Sequence, residues 1–282
     1  MFVPADAQRF IPKAATRGAD IIVLDLEDGV AASAKDKARD ALAHSVQALH
    51  AHEATVYVRV NNEPALLAGD LDAALASGAD GIVLPKIEAA DELKRLDKRV
   101  GEAALPHEIG YIGIIETAIG VCNAPEIARA SARLRGLCFG PEDYALAMGV
   151  EPVYESLAWS ASAVAVAAVA AGVQPLGLLG SVADFTDIEA YREVAARSQR
   201  LGMRGATCIH PAQVAILNEV FSPSEAEVKH ATELLAAFDA ALAEGKGAIS
   251  LNGKMVDEPI AQRARLLLAR HRARQKHKTQ GT

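Results

Sequence analysis

The sequence is poor in aromatic residues and in positive charge. Only 4% of its 282 residues are aromatic, although 51% are hydrophobic. Packing must therefore rest on Ala, Val, Leu and Ile, which suits interleaved helices and strands better than an aromatic-rich β-sandwich. The formal net charge of −7 gives no general affinity for nucleic acid, so we expect no nucleic-acid partner.

The sequence also has few cysteines, and it shows no pattern typical of a targeting segment. The first ten residues lack a basic region followed by an apolar run, so we expect no secretion signal. The long apolar stretch 157–179 contains serine, glycine and proline, which predicts a buried helix and a short strand rather than a membrane span. We expect the three widely separated cysteines to be reduced, buried thiols of a cytoplasmic protein. They are Cys122, Cys138 and Cys208.

Short apolar runs recur along the first 220 residues, with helical patterns between them. Several runs are continuous rather than alternating, which is typical of parallel strands buried on both faces. The eight runs are 2–4, 21–26, 55–60, 81–84, 109–115, 137–139, 175–179 and 206–209. They predict an α/β fold, a (β/α)8 TIM barrel over residues 1–221. An open doubly wound sheet is the alternative, although no glycine-rich phosphate loop follows the first run.

The pattern changes after residue 221. A helix is expected from Ser222 or Ser224, because serine is a good N-cap and acids occupy the first turn. A glycine-rich, hairpin-like segment and a final helix follow. We expect residues 222–282 to be a C-terminal extension of the barrel domain.

Polar residues follow the predicted strands, and in such barrels the active site is built at the carboxyl ends of the strands. They are Asp25, Glu27, Asp28, Arg59, Asn61, Lys86, Glu116, Glu142 and Asp143. Clustered carboxylates repel one another and take up protons unless a cation neutralises them. The pattern therefore predicts Mg2+, which prefers oxygen ligands. Glu116 and Asp143 are the expected ligands, with Glu27 and Asp28 binding the metal's water molecules.

Structural explanations exist for each residue taken singly. An acid after a strand often caps the next helix. This explanation stays open for Glu116 or Asp143 when either is considered by itself. Asp25 lies inside its strand and is a candidate for a structural hydrogen bond. Lys86 could pair with a neighbouring acid or serve the site. For His210 we favour a packed core histidine over a metal ligand, because Mg2+ prefers oxygen.

Seven sequence motifs, taken in order, carry a family resemblance. They are FVPADAQRFIPKA, VLDLEDGV, VRVN, VLPKIE, IIETAIGV, FGPEDYALAMG and CIHPAQV. Together they resemble the citrate lyase beta-subunit-like CoA-ester lyases, within the metal-dependent HpcH/HpaI aldolases. The resemblance covers nearly the whole chain and implies a (β/α)8 barrel with Mg2+, or alternatively Mn2+, as cofactor.

The resemblance implies a role for each matching residue. Arg59 would contact the keto or hydroxyl oxygen of the substrate and stabilise charge there. The backbone amides of the turn would hold the substrate carboxylate. The metal ligands would again be Glu116 and Asp143, with Glu27 and Asp28 around them. The turn residues are Gly140, Pro141, Glu142 and Asp143, and weaker candidates for the CoA phosphates are Arg9 and Lys13.

The segment LNGKMVDEP resembles the lid of malyl-CoA and citramalyl-CoA lyases. The resemblance implies that Asp257 reaches the active site of a neighbouring subunit as general acid/base. Position alone predicts only a helix N-cap before Pro259. The family also implies a homotrimer or a hexamer.

The implied activity is reversible carbon–carbon cleavage of a 3-hydroxyacyl-CoA, such as citramalyl-CoA or malyl-CoA, to acetyl-CoA and a 2-keto acid. The alternatives are a citrate lyase beta subunit acting on a citryl thioester, a CoA-independent keto-acid aldolase and a non-catalytic keto-acid-binding barrel. Two positions depart from the family pattern. Ala206 stands where a lysine is usual, and Gly177 stands where many members have an acid.

Overall fold

The chain divides into two units, Met1–Phe221 and Ser222–Thr282. This computed structural model describes residues 1–181, 183 and 186–280, and for 276–280 the backbone alone. No helix within these ranges is both long enough and apolar enough to cross a membrane.

The first unit contains one seven-stranded sheet in which neighbouring strands follow chain order and all run parallel. Its strands are β1 (Phe2–Pro4), β2 (Ile22–Asp25), β3 (Val56–Arg59), β4 (Gly81–Leu84), β5 (Gly110–Ile115), β6 (Leu134–Phe139) and β7 (Gln174–Gly177). The middle strands are almost entirely buried, as their continuous apolar runs predict. The α/β class is therefore confirmed.

Helices lie between successive strands along the chain, further helices follow β7, and each buries apolar residues. They are α1 (Ile11–Ala14), α2 (Lys35–His50), α3 (Pro64–Ala76), α4 (Ala90–Glu102), α5 (Ala118–Ile127), α6 (Pro141–Met148), α7 (Tyr154–Ala170), α8 (Ile188–Leu201) and α9 (Pro211–Val220). In α2 the buried Ala38, Leu42, Val46 and Leu49 recur every three or four residues. The apolar stretch 157–179 is helix α7 followed by β7, with Gly172 in the left-handed region between them (φ 77°).

The eighth predicted strand, 206–209, is wrong as a regular strand. The segment does contact both edge strands: Gly177 N donates to Gly205 O (3.0 Å), and Phe2 N donates to Cys208 O (2.8 Å). Pro175 and Pro4 lie two residues from those donors, on the same side of their strands. Because proline has no N–H, each edge lacks the next donor that a ladder needs. With Arg204 N donating to Pro175 O (2.8 Å), the segment is held by a few hydrogen bonds and not by a regular ladder.

The second unit is a helical pair with a hairpin. Its elements are α10 (Glu225–Ala243), the antiparallel β8 (Ile249–Leu251) and β9 (Lys254–Val256), and α11 (Glu258–Gln280). Ser224 caps α10, since its hydroxyl accepts from Glu227 N at 3.2 Å. Asn252 and Gly253 both have positive φ (52° and 75°), as a two-residue hairpin turn requires. Phe238 lies at the centre of this unit's own core.

Candidate active site

A cavity of about 420 Å3 lies at the carboxyl ends of the strands in the first unit. Because parallel strands end at the same edge of a sheet, the polar residues that follow them meet there. The acids among the described lining residues are Asp25, Asp28, Glu116, Glu142 and Asp143, and the basic residue is Arg59. The acid-rich edge that the sequence predicts is therefore present.

Arg59, at the end of β3, is fixed by a buried carboxylate from the neighbouring strand. Its Nε and Nη2 donate to Oδ1 and Oδ2 of Asp25, both at 2.7 Å. Its Nη1 lies 2.8 Å from Glu27 Oε2, and its guanidinium lies over the Phe2 ring, 4.5 Å from the centroid. Burial lowers the pKa of Arg59, but the hydrogen bonds and charge of Asp25 and the charge of Glu27 raise it further, above its ordinary value.

Asp25 also organises the loop that follows β2. Its Oδ1 accepts from Glu27 N and its Oδ2 from Gly29 N, both at 2.9 Å. The structural hydrogen bond considered for Asp25 is thus present, and it orients Glu27 and Arg59 together. Its position inside an apolar strand was the signal in the sequence.

Lys86 lies among the acids after β4. Its Nζ is 2.5 Å from Glu27 Oε1, 3.6 Å from Asp28 Oδ2 and 3.8 Å from Asp143 Oδ1. Of the two explanations left open for Lys86, pairing with neighbouring acids is therefore observed, and those acids belong to the site. Burial raises the pKa of Glu27, although Arg59 and Lys86 act in the opposite direction.

Glu116 directly follows β5 and is 3% exposed. Its Oε1 accepts from Lys86 N at 2.9 Å. Burial, with the nearby charges of Asp143 and Glu27, raises the pKa of the Glu116 carboxyl to about 7. A side chain at Gly140 would place its Cβ 2.8 Å from the Cβ of Glu116, so glycine is needed to leave room for this carboxylate.

The two acids in the first turn of α6 have different partners. Glu142 Oε1 accepts from Ser181 Oγ at 2.5 Å, whereas Asp143 faces Lys86. The expectation that the amides of all the turn residues face a substrate needs correction for two of them. Gly140 N donates to Ile115 O (3.0 Å), and Pro141 has no N–H. The amides of Glu142 and Asp143 lie in the first turn of α6, where the helix itself supplies no carbonyl partner.

Three further candidates are placed as follows. Arg9 and Lys13 are exposed, and neither is among the described residues that line the cavity. Asp257, in the second unit, caps α11, since its Oδ1 accepts from Ile260 N at 3.3 Å. The N-cap predicted from its position is therefore observed.

Two expectations about structural residues need correction. His210 is not a buried core histidine: it is half-buried and caps α9, with Nδ1 accepting from Ala212 N at 3.2 Å. Cys122 is exposed on α5, whereas Cys138 and Cys208 are buried as expected. The buried residues of α5 follow helical spacing, and Cys122 is not among them.

The sequence reasoning missed a polar network behind Glu27. Lys35 Nζ donates to Glu27 O (3.0 Å) and to Asn61 Oδ1 (2.8 Å). Asp70, which is fully buried, accepts from Asn61 and from Arg39 Nη1 (2.8 Å). An acid inside the apolar pattern of α3 was the available signal, because buried acids are nearly always paired.

The donor set suits a magnesium ion. In the described ranges, no three His, Cys, Asp or Glu side chains form a group that could hold a metal by themselves. Mg2+ does not require such a group, because it commonly uses one or two carboxylates and keeps several waters. Glu116 and Asp143 provide two carboxylates on one cavity wall, and burial, with the nearby charges of Asp143 and Glu27, raises the pKa of the Glu116 carboxyl.

Residues 1–211 match the family described as HpcH/HpaI aldolase/citrate lyase. The chain is 35% identical over 280 residues to the citrate lyase subunit beta of Escherichia coli, covering 96% of this chain and 91% of that protein. It is 33% identical over 295 residues to the L-malyl-CoA/beta-methylmalyl-CoA lyase of Cereibacter sphaeroides, covering 95% and 92%.

Among solved structures, CitE of Mycobacterium tuberculosis in complex with magnesium, acetoacetate and coenzyme A is similar, with a TM-score of 0.76, 31% identity and 96% of each chain covered. The magnesium of that neighbour supports the predicted cofactor. The relatives confirm the predicted class of carbon–carbon lyase. This protein belongs to the HpcH/HpaI aldolase/citrate lyase family.

Proposed function

We propose that this protein is a Mg2+-dependent lyase that reversibly cleaves a 3-hydroxyacyl-CoA, such as citramalyl-CoA or malyl-CoA, to acetyl-CoA and a 2-keto acid. The observation that carries this proposal is the joint placement of five acids and Arg59 on the described wall of one cavity. Relatives named citrate lyase subunit beta and malyl-CoA lyase are similarly close, at 35% and 33% identity. A citryl thioester is therefore the second candidate substrate, and it would give oxaloacetate.

Glu116 and Asp143 would hold the metal, and Glu27 and Asp28 would bind its water molecules. Bound there, Mg2+ would polarise the hydroxyl and carboxylate oxygens of the keto-acid half of the substrate. Gly140 leaves room for the Glu116 carboxylate, because a Cβ there would collide with it. The amides of Glu142 and Asp143 would donate to the substrate carboxylate, as amides at a helix N-terminus do for anions.

Arg59 would hold the oxygen on which negative charge develops. Its guanidinium carries five N–H donors, of which two donate to Asp25, and its Nη1 lies 2.8 Å from Glu27 Oε2. This fixes the plane of the group while it lines the cavity. A donor that is fixed before the reaction stabilises the transition state without reorganisation.

The proton balance needs an acid for the acetyl half. A base would take the hydroxyl proton, and the oxygen's electron pair would form the carbonyl of the 2-keto acid as the carbon–carbon bond breaks. The electron pair of that bond would move to the carbon beside the thioester as an enolate. Asp257 of a neighbouring copy would protonate that carbon, in a homotrimer or hexamer. Arg9 and Lys13, both exposed, would contact the CoA phosphates.

For the fold, we infer that the segment 204–208 closes the sheet into an eight-membered barrel. Its hydrogen bonds to Gly177 and Phe2, one on each edge strand, support this. Thr207 and Cys208 line the cavity, so closure would complete the wall of the site.

A direct assay tests the proposal. The purified full chain is mixed with malyl-CoA, citramalyl-CoA or citryl-CoA, with Mg2+ or with chelator, and release of 2-keto acid is followed. We expect Mg2+-dependent release from one of these thioesters. Arg59→Lys should reduce turnover at least tenfold, while the exposed Arg197→Lys should not. Absence of release from every thioester, or release indifferent to chelator, would refute the lyase assignment. Cleavage of a free hydroxy-keto acid alone would indicate the CoA-independent aldolase.

The subunit exchange has its own test. Arg59→Ala and Asp257→Ala should each lose activity, and subunits mixed from the two variants should regain part of it. If mixing restores nothing while the subunits are shown to exchange, Asp257 does not act in a neighbouring copy.

A further inference from the structure

Lys86 contacts every acid of the proposed metal site. Its Nζ lies 2.5 Å from Glu27 Oε1, 3.6 Å from Asp28 Oδ2 and 3.8 Å from Asp143 Oδ1. Its backbone N–H donates to Glu116 Oε1 at 2.9 Å. One residue therefore joins four carboxylates that come from three different strand ends, and the proposed reaction gives it no role.

The backbone around Lys86 is held in an uncommon conformation. Lys86 has φ 51°, in the left-handed region that residues other than glycine rarely adopt. Asn62 Nδ2 donates to Lys86 O at 3.2 Å and to Glu92 Oε2 at 2.8 Å. On the other side, Ile87 N donates to Ile114 O at 3.1 Å. Strain that neighbours fix in this way is typical of functional sites.

We propose that Lys86 is a tethered counter-cation, whose ammonium competes with Mg2+ for the carboxylates of this site. The inference rests on the proposed function, because it takes Glu116 and Asp143 as the metal ligands. An ammonium beside Asp143 and Glu27 stabilises them when the metal is absent, and it repels a divalent ion that binds the same groups. The side chain is 37% exposed and ends a flexible stem, so it can withdraw into solvent as the ion enters.

A purely structural role for Lys86 makes the opposite prediction. If the ammonium only held Glu27 in position to receive the metal's waters, removing it would weaken Mg2+ binding. If it competes with the metal, removing it tightens Mg2+ binding, because the carboxylates keep their charge and lose a rival cation. The direction of the change in affinity therefore separates the two roles.

The experiment compares Mg2+ binding by calorimetry, and thermal unfolding with and without Mg2+, using the full chain stripped of metal. K86M should bind Mg2+ roughly tenfold more tightly, a step of about 1.4 kcal/mol. Its metal-free form should melt at a lower temperature, and Mg2+ should raise that temperature by more than in the unmodified chain. K86R, which keeps the charge, should bind Mg2+ like the unmodified chain. K94M removes an exposed ammonium that pairs with Asp91 and not with an acid of the proposed metal site. It should change neither the Mg2+ affinity nor the melting temperature.

A second neutral variant guards against misfolding. K86Q keeps a hydrogen-bond donor for Glu27 without the charge, and it should also bind Mg2+ more tightly. Unchanged or weaker Mg2+ binding in both neutral variants, with normal binding in the unmodified chain, would overturn the role of Lys86 alone. Absence of Mg2+ binding in the unmodified chain would refute the proposed function and this inference together.

Discussion

Replacing Asp25 by Asn should destabilise the first unit strongly, because this carboxylate receives four hydrogen bonds. Each oxygen accepts one bond from Arg59 at 2.7 Å and one from a backbone amide, Glu27 N or Gly29 N, at 2.9 Å. The side chains of Asp25 and Arg59 are 3% and 13% exposed. Asn offers one oxygen and one NH2 group, so two of the four N–H groups that bond to the carboxylate would face the NH2 group instead.

The magnitude follows from the burial of the pair. Removing one partner of a buried ion pair typically costs about 3–5 kcal/mol, because the other charge stays buried without compensation. Arg59 retains an ion pair with Glu27, which favours the lower end of that range. We therefore expect the Asp25→Asn variant to lose about 3 kcal/mol of its free energy of unfolding.

Urea unfolding followed by circular dichroism measures this loss, with the slope of the transition as a check that the unfolded state is unchanged. Asp91→Asn is the matched control, since Asp91 also contacts a cation at 2.7 Å but is 69% exposed. Its unfolding midpoint should stay that of the unmodified chain. If Asp25→Asn shifts the midpoint no more than this control does, the buried clamp on Arg59 does not contribute to stability and the reasoning is wrong.

Three further predictions concern the metal site and Asp257. Asp143→Asn should abolish Mg2+ binding by calorimetry while Glu142→Gln retains it, because only Asp143 faces the acids around Lys86. Gly140→Ala should weaken Mg2+ binding at least tenfold without unfolding the chain, because its Cβ would displace the Glu116 carboxylate. Asp257→Ala should lower turnover and leave Mg2+ affinity unchanged, while losing about 1 kcal/mol of stability from the N-cap.

Controls and contrary outcomes are available for each of the three. Mg2+ binding lost in Glu142→Gln and kept in Asp143→Asn would reverse the assignment of the two acids. Gly101→Ala is the control for Gly140→Ala, because a Cβ at Gly101 meets nothing within 4 Å. Equal Mg2+ affinity in both alanine variants would show that Glu116 is not a ligand. Full turnover in Asp257→Ala would leave that residue only as a helix cap.

The strand ends were predictable because parallel topology alone decides where they meet. Apolar runs located seven strands, and the residues just beyond them had to lie at one edge of the sheet. The eighth run was not predictable as an irregular segment. Its conformation depends on whether Pro4 in β1 and Pro175 in β7 face the open edges of the sheet. Only the pairing of the strands decides that.

The choice of partners within the site was less predictable than its composition. Several acids lie within reach of Lys86, and its main contact depends on the left-handed backbone that Asn62 and Ile114 hold. Similarly, the sequence placed Gly140 in a turn but could not show that its amide is used by Ile115. Such choices depend on small differences in the distances between elements that are remote in sequence.

The charge around the cavity argues for a divalent ion more strongly than any single ligand does. Arg59 is directed mainly at Asp25, and Lys86 is closest to Glu27, so each of these cations has a nearest acid of its own. The same ammonium lies farther from Asp143, at 3.8 Å, and Glu116 is buried with the pKa of its carboxyl raised to about 7. A keto-acid substrate would add a further negative charge to this wall. Crowded carboxylates either take up a proton or are joined by a cation, and Mg2+ with oxygen ligands meets the second requirement.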